Sequence, residues 1–235
     1  MTGPFKTQAP VIEQTEQVRS EFLVKVYQHL ALAVGLFVLL EWVLFTTGFA
    51  AWFSDLIFSG GNLGWLALLG GVGIVTAIAG RSANKLDNPG LQYISLFVIA
   101  AAQAAIFAPY LFLILSSDSG SSDLVTAAVI TGAGFVGLSL VALITRKDLS
   151  FLRPIVTWGF GLALIAIVGG LIFGFNLGLW FSIAMVGISG VSILYQTQKI
   201  YRAYPAEAYV GAAVALFGSL MTLFWYVLRI VSSRN

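Results

Sequence analysis

Residues 91–115 read LQYISLFVIAAAQAAIFAPYLFLIL, twenty-five positions without one Asp, Glu, Lys, Arg or His. A helix needs roughly 20 mostly apolar residues to cross the hydrocarbon core of a bilayer. This stretch is long enough to cross with a tilt, and Pro109 inside it is expected to kink the helix. Six further stretches qualify on either side: about 26–45, 63–79, 124–144, 154–173, 177–194 and 208–228. Short polar or glycine-rich breaks separate them, the shortest being Gly174-Phe175-Asn176. The stretch at 154–173 opens on Pro154, a residue suited to a helix start.

Composition points the same way. Of 235 residues, 9% are charged and 59% hydrophobic, with a mean hydropathy of +0.94. A typical soluble domain carries about 25% charge, so lipid is the solvent for most of this chain. The expected fold is an all-α integral membrane protein of seven spans in one domain. Residues 1–25 form an N-terminal tail, 26–231 the seven-helix unit and 232–235 a short C-terminal tail. The tail holds Pro4, Pro10 and mixed charges without an apolar core, so it reads as a partly disordered or amphipathic lead-in, not a cleaved signal peptide. A net charge of +2 without a basic patch excludes nucleic-acid binding. The absence of Cys excludes thiolate metal sites, and a lone His excludes a His-rich one.

Ten of the twelve basic residues collect on one side. They are Lys6, Arg19, Lys25, Arg81, Lys85, Arg146, Lys147, Arg153, Lys199 and Arg202, and the opposite loops carry Asp55, Asp118 and Asp123 with no base. The positive-inside rule then places the N-terminus in the cytoplasm. Parity places the C-terminus outside if the last segment crosses fully, and inside if that segment re-enters. Glycines within the spans, such as Gly70-Gly71-x-Gly73, Gly132-x-Gly134-x-x-Gly137 and Gly170-x-x-x-Gly174, let helix backbones approach.

Glu41 is the carboxylate that lies clearly within a span, about a turn from the outer end of the first. Intramembrane acids are costly and suggest function. Glu41 either reaches interfacial water beside Trp42 or lines a cavity as a cation-binding or proton-responsive group. His29 lies twelve residues away, about 18 Å along a helix, too far to pair with it, and reads as an interfacial hydrogen-bonder. Gln103 sits mid-span, Gln196 and Gln198 end the sixth span, and Ser219 and Thr222 lie near the middle of the seventh. Gly187-Ile188-Ser189-Gly190 matches the string around an intramembrane protease serine. Such chemistry needs a nearby base, and the sole His precedes it by six spans, so packing glycine and a back-bonded Ser are expected. All five lysines fall in the tail or loops, which excludes a retinal Schiff base. No catalytic constellation assembles, so no enzyme and no cofactor are expected.

Four strings occur together: Thr145-Arg146-Lys147-Asp148-Leu149-Ser150-Phe151, Ala83-Asn84-Lys85, Tyr195-Gln196-Thr197-Gln198-Lys199, and Leu223-Phe224 with Leu228-Arg229. With the number and order of spans, they resemble the Bax inhibitor family, nearest to its bacterial YccA-like branch, from about residue 20 onward. Read physically, Arg146 and Lys147 anchor the fourth span at headgroups and anionic lipid. Asp148 pairs locally or begins a polar turn capped by Ser150. The resemblance implies six helices around a central seventh and no catalysis. It also implies either pH-sensitive leak of calcium or another cation, or stress and quality-control regulation through contacts with FtsH, a membrane-anchored AAA+ protease, in the bacterial inner membrane. The leak relatives carry two aspartates that share a proton-sensitive site. The matching positions here are Gln196 and Ser219, neither of which carries charge, so that gating does not transfer. The expected function is therefore regulation by protein contact, with the tail as the feature most available to a partner, and a cation leak through Glu41 as the alternative.

Overall fold

The structure is a computed structural model that describes residues 9–145 and 147–233. Among these it forms eight α-helices and a short 3-10 turn, Val11–Glu13. Seven helices are long and apolar enough to cross a membrane. These are α1 (Glu16–Thr46), α3 (Gly61–Ser82), α4 (Pro89–Leu115), α5 (Gly120–Ile144), α6 (Leu152–Phe173), α7 (Gly178–Ala203) and α8 (Tyr209–Ser232). The remaining helix, α2 (Phe49–Ser59), was not anticipated from the sequence. Its eleven residues are too few to span. It buries Ala50, Ser54 and Ile57 against the bundle and leaves Phe49 and Trp52 outward.

α8 is the axis. Residues 210 to 214 are buried without a break, which is the pattern of a helix enclosed on all sides rather than one with a single inward stripe. α1, α3, α4, α5 and α7 all pack on it, and Ala163 of α6 reaches Tyr226 through Met185 of α7. The packing centre is Phe107 of α4. Its ring stacks on Phe224 at 5.5 Å, meets Phe37 edge-on at 5.2 Å and meets Trp225 edge-on at 5.0 Å. Offset and edge contacts of this kind favour the aromatic quadrupoles, and they join α1, α4 and α8. The α4 helix continues through Pro109, which is buried.

Two expectations change in detail. The first helix begins at Glu16, ten residues inside the stretch assigned to the tail. Thr15 caps it through Val18 N–H at 3.5 Å, and Phe22 and Val26 continue the buried stripe below the apolar run. Ahead of it, Val11 is fully buried and its N–H donates to the Tyr204 carbonyl at 2.8 Å. From there onward the tail is docked on the α7–α8 connection. The glycines meet the packing expectation only in part: a Cβ at Gly134 would touch Leu223 at 3.9 Å and one at Gly170 would lie 3.0 Å from the Phe175 carbonyl, but others have open space. A Cβ at Gly70, Gly71, Gly73, Gly132 or Gly137 would meet nothing within 4 Å. These positions sit on outer faces, where no helix is close enough to use the missing side chain. Gly174, at φ +76°, ends α6 in the left-handed region and so permits the tight return into α7.

Candidate functional site: a neutral cavity and a stapled loop

α3, α4, α6, α7 and α8 line an open cavity of about 420 Å³. Its polar lining is Thr76, Gln103, Ser192, Gln196, Ser219 and Thr222, and the remaining wall is apolar or glycine. The two positions singled out by the resemblance, Gln196 on α7 and Ser219 on α8, therefore face one space. Ser192 Oγ and Ser219 Oγ lie 3.0 Å apart. Thr222 Oγ1 donates to the Gly218 carbonyl at 2.9 Å, and Ser219 Oγ reaches the Ala215 carbonyl at 3.5 Å. Hydroxyls thus satisfy themselves on the preceding turn, as the sequence suggested. Thr76 Oγ1 and Gln196 Oε1 are buried without a partner among the described residues. No side chain that lines the cavity carries charge. Such a space is polar and roomy enough for water. Gathering several calcium-binding carboxylates is beyond it.

Glu41 is elsewhere. The buried stripe of α1 runs Phe22, Val26, Leu30, Ala33, Phe37 and Glu41, at spacings of three and four. Glu41 closes that stripe at 7% exposure, and neither carboxylate oxygen has a partner among the described residues. Its neighbour Trp42, turned about 100° round the helix, is 62% exposed. The carboxylate therefore points inward, not up to interfacial water, and it does not line the cavity. His29 sits far down the same helix. Its Nδ1 contacts the Lys25 carbonyl at 2.7 Å, which requires Nδ1 to donate, and its Nε2 lies 3.1 Å from Tyr93 Oη. The Tyr209 ring is 4.9 Å from its own.

Just beyond the cavity, at the C-terminal end of α7, lies a second constellation. α7 extends to Ala203, nine residues past the apolar run, so that Tyr195 to Lys199 are helical. Residues two apart on a helix do not share a face. Gln196 accordingly turns to the cavity, while Gln198 turns to the α5–α6 loop. Gln198 Oε1 accepts from Leu149 N–H at 2.6 Å, and Nε2 donates to the carbonyls of Lys147 at 2.8 Å and Thr145 at 3.5 Å. Arg202 Nη2 adds a 3.4 Å contact to the Lys147 carbonyl. Two of the four strings quoted above are thus one physical unit. Within the loop, Asp148 Oδ1 accepts from Ser150 N–H at 2.9 Å and from Ser150 Oγ at 2.6 Å. Asp148 is the acceptor of this turn, and Ser150 supplies donors rather than the cap. These two bonds hold the Asp148 carboxyl below the usual carboxylate range. Lys147, Asp148 and Phe151 are all exposed, whereas Arg146 lies outside the described residues.

Sequence reading found Gln196, Ser219 and the loop, but it missed the role of Gln198. The available signal was its offset of two from Gln196 at a helix end. The structure gives no base to Ser189, whose Oγ is buried and unpartnered among the described residues instead of bonded to its own helix.

Residues 19–235 match the family model described as "Inhibitor of apoptosis-promoting Bax1". Among similar proteins is an uncharacterised protein of Pseudomonas aeruginosa, 34% identical over 147 residues, which are 62% of this chain and 66% of the relative. One of Neisseria meningitidis serogroup A is 28% identical over 153 residues, 65% of this chain and 66% of the relative. An uncharacterised membrane protein of Vibrio cholerae is 27% identical over 174 residues, 71% of this chain and 73% of the relative. The matched part thus spans just under two thirds of the length of the first two relatives.

Proposed function

The chain belongs to the Bax inhibitor family, and we propose that it is a non-enzymatic member of the YccA-like branch, in which the bundle serves as a scaffold for protein contacts. In this reading it sits in a bacterial inner membrane with its N-terminus in the cytoplasm. Its partner is a membrane-anchored AAA+ quality-control protease, and its role is to restrain or direct that protease under stress. The observation that carries the reading is the cavity. Gln196 and Ser219 meet there, and its lining holds no charged side chain. A group that neither gains nor loses a proton cannot supply a pH-dependent gate. The feature left to act is the stapled loop, which Gln198 holds in one shape while Lys147, Asp148 and Phe151 stay exposed.

The test is in two parts. Co-purification from native membranes recovers the protease with the wild-type chain and loses it when Phe151 and Asp148 are replaced together by Ala and Asn. Recovery of no protease component from wild type sinks the reading. In parallel, purified protein in liposomes carries no calcium flux above empty liposomes on either side of neutral pH.

A second reading stands on Glu41, whose buried and unpartnered carboxylate is the kind of group that binds a cation or a proton. It predicts a protein-dependent flux that Glu41→Gln abolishes or renders independent of pH. The scaffold reading predicts no such flux.

A further inference from the structure

Gly218 lies on α8, the axis of the bundle, between the buried residues Phe217 and Ser219. A Cβ there would nevertheless meet nothing within 4 Å, because Gly218 lines the cavity. Two other lining groups, Thr76 Oγ1 on α3 and Gln196 Oε1 on α7, are buried without a partner among the described residues. A hydroxyl within a helix can bond its own preceding turn, as Thr222 does at 2.9 Å. The Thr76 hydroxyl has no such bond. Ile99 on α4 and Val156 and Phe160 on α6 give the lining its hydrocarbon.

The cavity has a blind end. Gly80 and Val156 lie within about a turn of the ends of α3 and α6, at Ser82 and Leu152, so the space begins at the side of the bundle that carries Arg81 and Arg153. Toward the other side the same helices close. Trp225 of α8 meets Phe107 and Tyr110 of α4 at 5.0 and 4.6 Å, and Tyr226 packs with Ala163 of α6 and Met185 of α7. A space stopped by packed aromatic rings is a place to bind, not a route across.

We propose that this cavity binds one uncharged, hydroxyl-bearing molecule, a polyol or the glyceryl head of a neutral lipid, with Thr76 and Gln196 as its hydrogen-bond partners. At about 420 Å³ the space falls among small-molecule sites, which run from about 300 to 1,000 Å³. Water would satisfy Thr76 and Gln196, but carbon that displaces poorly ordered water from the hydrocarbon gains affinity. Among the described residues no charged side chain lines the space, so an ion would lose its hydration without a counter-charge. The unmet groups are an amide oxygen that needs a donor and a hydroxyl that both gives and accepts. A neutral O–H on a carbon frame matches both. The proposal goes beyond the scaffold reading and does not depend on any protein partner.

The experiment is thermal unfolding of the full chain in neutral detergent, with glycerol, a monoacylglycerol or the fatty acid of the same chain length titrated in at neutral pH. A glyceryl compound is expected to raise the midpoint along a saturating curve, while the ionised fatty acid leaves it in place. A response to the monoacylglycerol alone identifies a lipid as the source, and a response to glycerol identifies a soluble polyol. Thr76→Val and Gln196→Leu each weaken the apparent affinity about fivefold. Thr76→Val also keeps or raises the ligand-free midpoint, since it removes a buried hydroxyl without a partner. Gly218→Val fills the space and abolishes the saturating rise. Thr131→Val removes another buried, unpartnered hydroxyl that does not line the cavity, and it leaves the curve unchanged. No saturating rise with either glyceryl compound, a fatty acid that matches them, undiminished binding in Gly218→Val, or equal weakening by Thr131→Val would each overturn the site.

Discussion

Gln198 and Lys147 are 51 residues apart in sequence, yet the Gln198 side-chain amide donates to the Lys147 carbonyl at 2.8 Å, and its oxygen accepts from the N–H of Leu149. One side chain closes both ends of a loop turn. Backbone groups left without partners inside a protein cost about 1–3 kcal/mol each, and this amide satisfies three. Gln198→Leu is therefore expected to lower stability by about 2 kcal/mol and to free the loop. Thermal unfolding in detergent measures the first effect, and faster proteolysis at Lys147 measures the second. An unchanged cleavage rate would mean that the loop holds its shape by other means.

Gly211 tests the join between α3 and α8. A Cβ there would run into Asn84 Oδ1 and lie 3.0 Å from the Ala83 carbonyl, while Asn84 Nδ2 is tied to the Gly80 carbonyl at 2.8 Å. The Ala83-Asn84-Lys85 string thus lies against the first turn of α8. Gly211→Ala should cost about 1–3 kcal/mol through overpacking. Adding Asn84→Ala should recover part of that loss, since the larger of the two obstacles is then gone. Full additivity of the two losses would contradict the contact.

Docking of the segment before α1 rests on Val11. Val11→Asp places a charge where the native side chain is fully buried, so the segment is expected to detach locally without unfolding the bundle. The readout is protease cleavage between Val11 and Glu16, rapid in the variant and slow in wild type. Cleavage at equal rates in both would show that the Tyr204 contact does not close the segment.

Glu41 is buried with no hydrogen-bond partner among the described residues, so it contributes nothing favourable to packing that an apolar group of similar length would lack. Glu41→Leu is expected to keep or raise the unfolding temperature at neutral pH. A clear drop would reveal a bound cation or proton donor on the native carboxylate, and would favour the leak reading over the scaffold.

Asp148 gives a pH dependence of known sign. Its folded carboxyl is held below the ordinary value of 3.8 by Ser150. The stabilisation is then fully present above that value and is lost as pH falls through the lower, folded one. Ser150→Ala should return the titration of this carboxyl toward 3.8. Carbon NMR of labelled aspartate follows it directly. An Asp148 titration that stays put in the variant would remove the Ser150 hydroxyl as a cause and leave the backbone N–H bond, which Ala keeps.

The architecture was legible because a bilayer imposes a length and an apolarity on each crossing segment, and both can be counted along a chain. Hence the seven spans, their order and the position of the connecting loops stood in the sequence alone. α2 escaped because an apolar helix of eleven residues carries no such signature, and α1 outran its apolar run because a capped polar turn can extend a helix into the interface. The family motifs were visible as strings, but not that Gln196 and Gln198 serve opposite faces of one helix. Side chains brought together from distant segments depend on which way each helix is rotated in the bundle. That rotation is decided by packing around α8 and Phe107, where each neighbour's choice constrains the next, and no local stretch contains it. Tertiary structure alone therefore settled three things: the shared, uncharged cavity of Gln196 and Ser219, the inward aim of Glu41, and the staple from Gln198 to the α5–α6 loop.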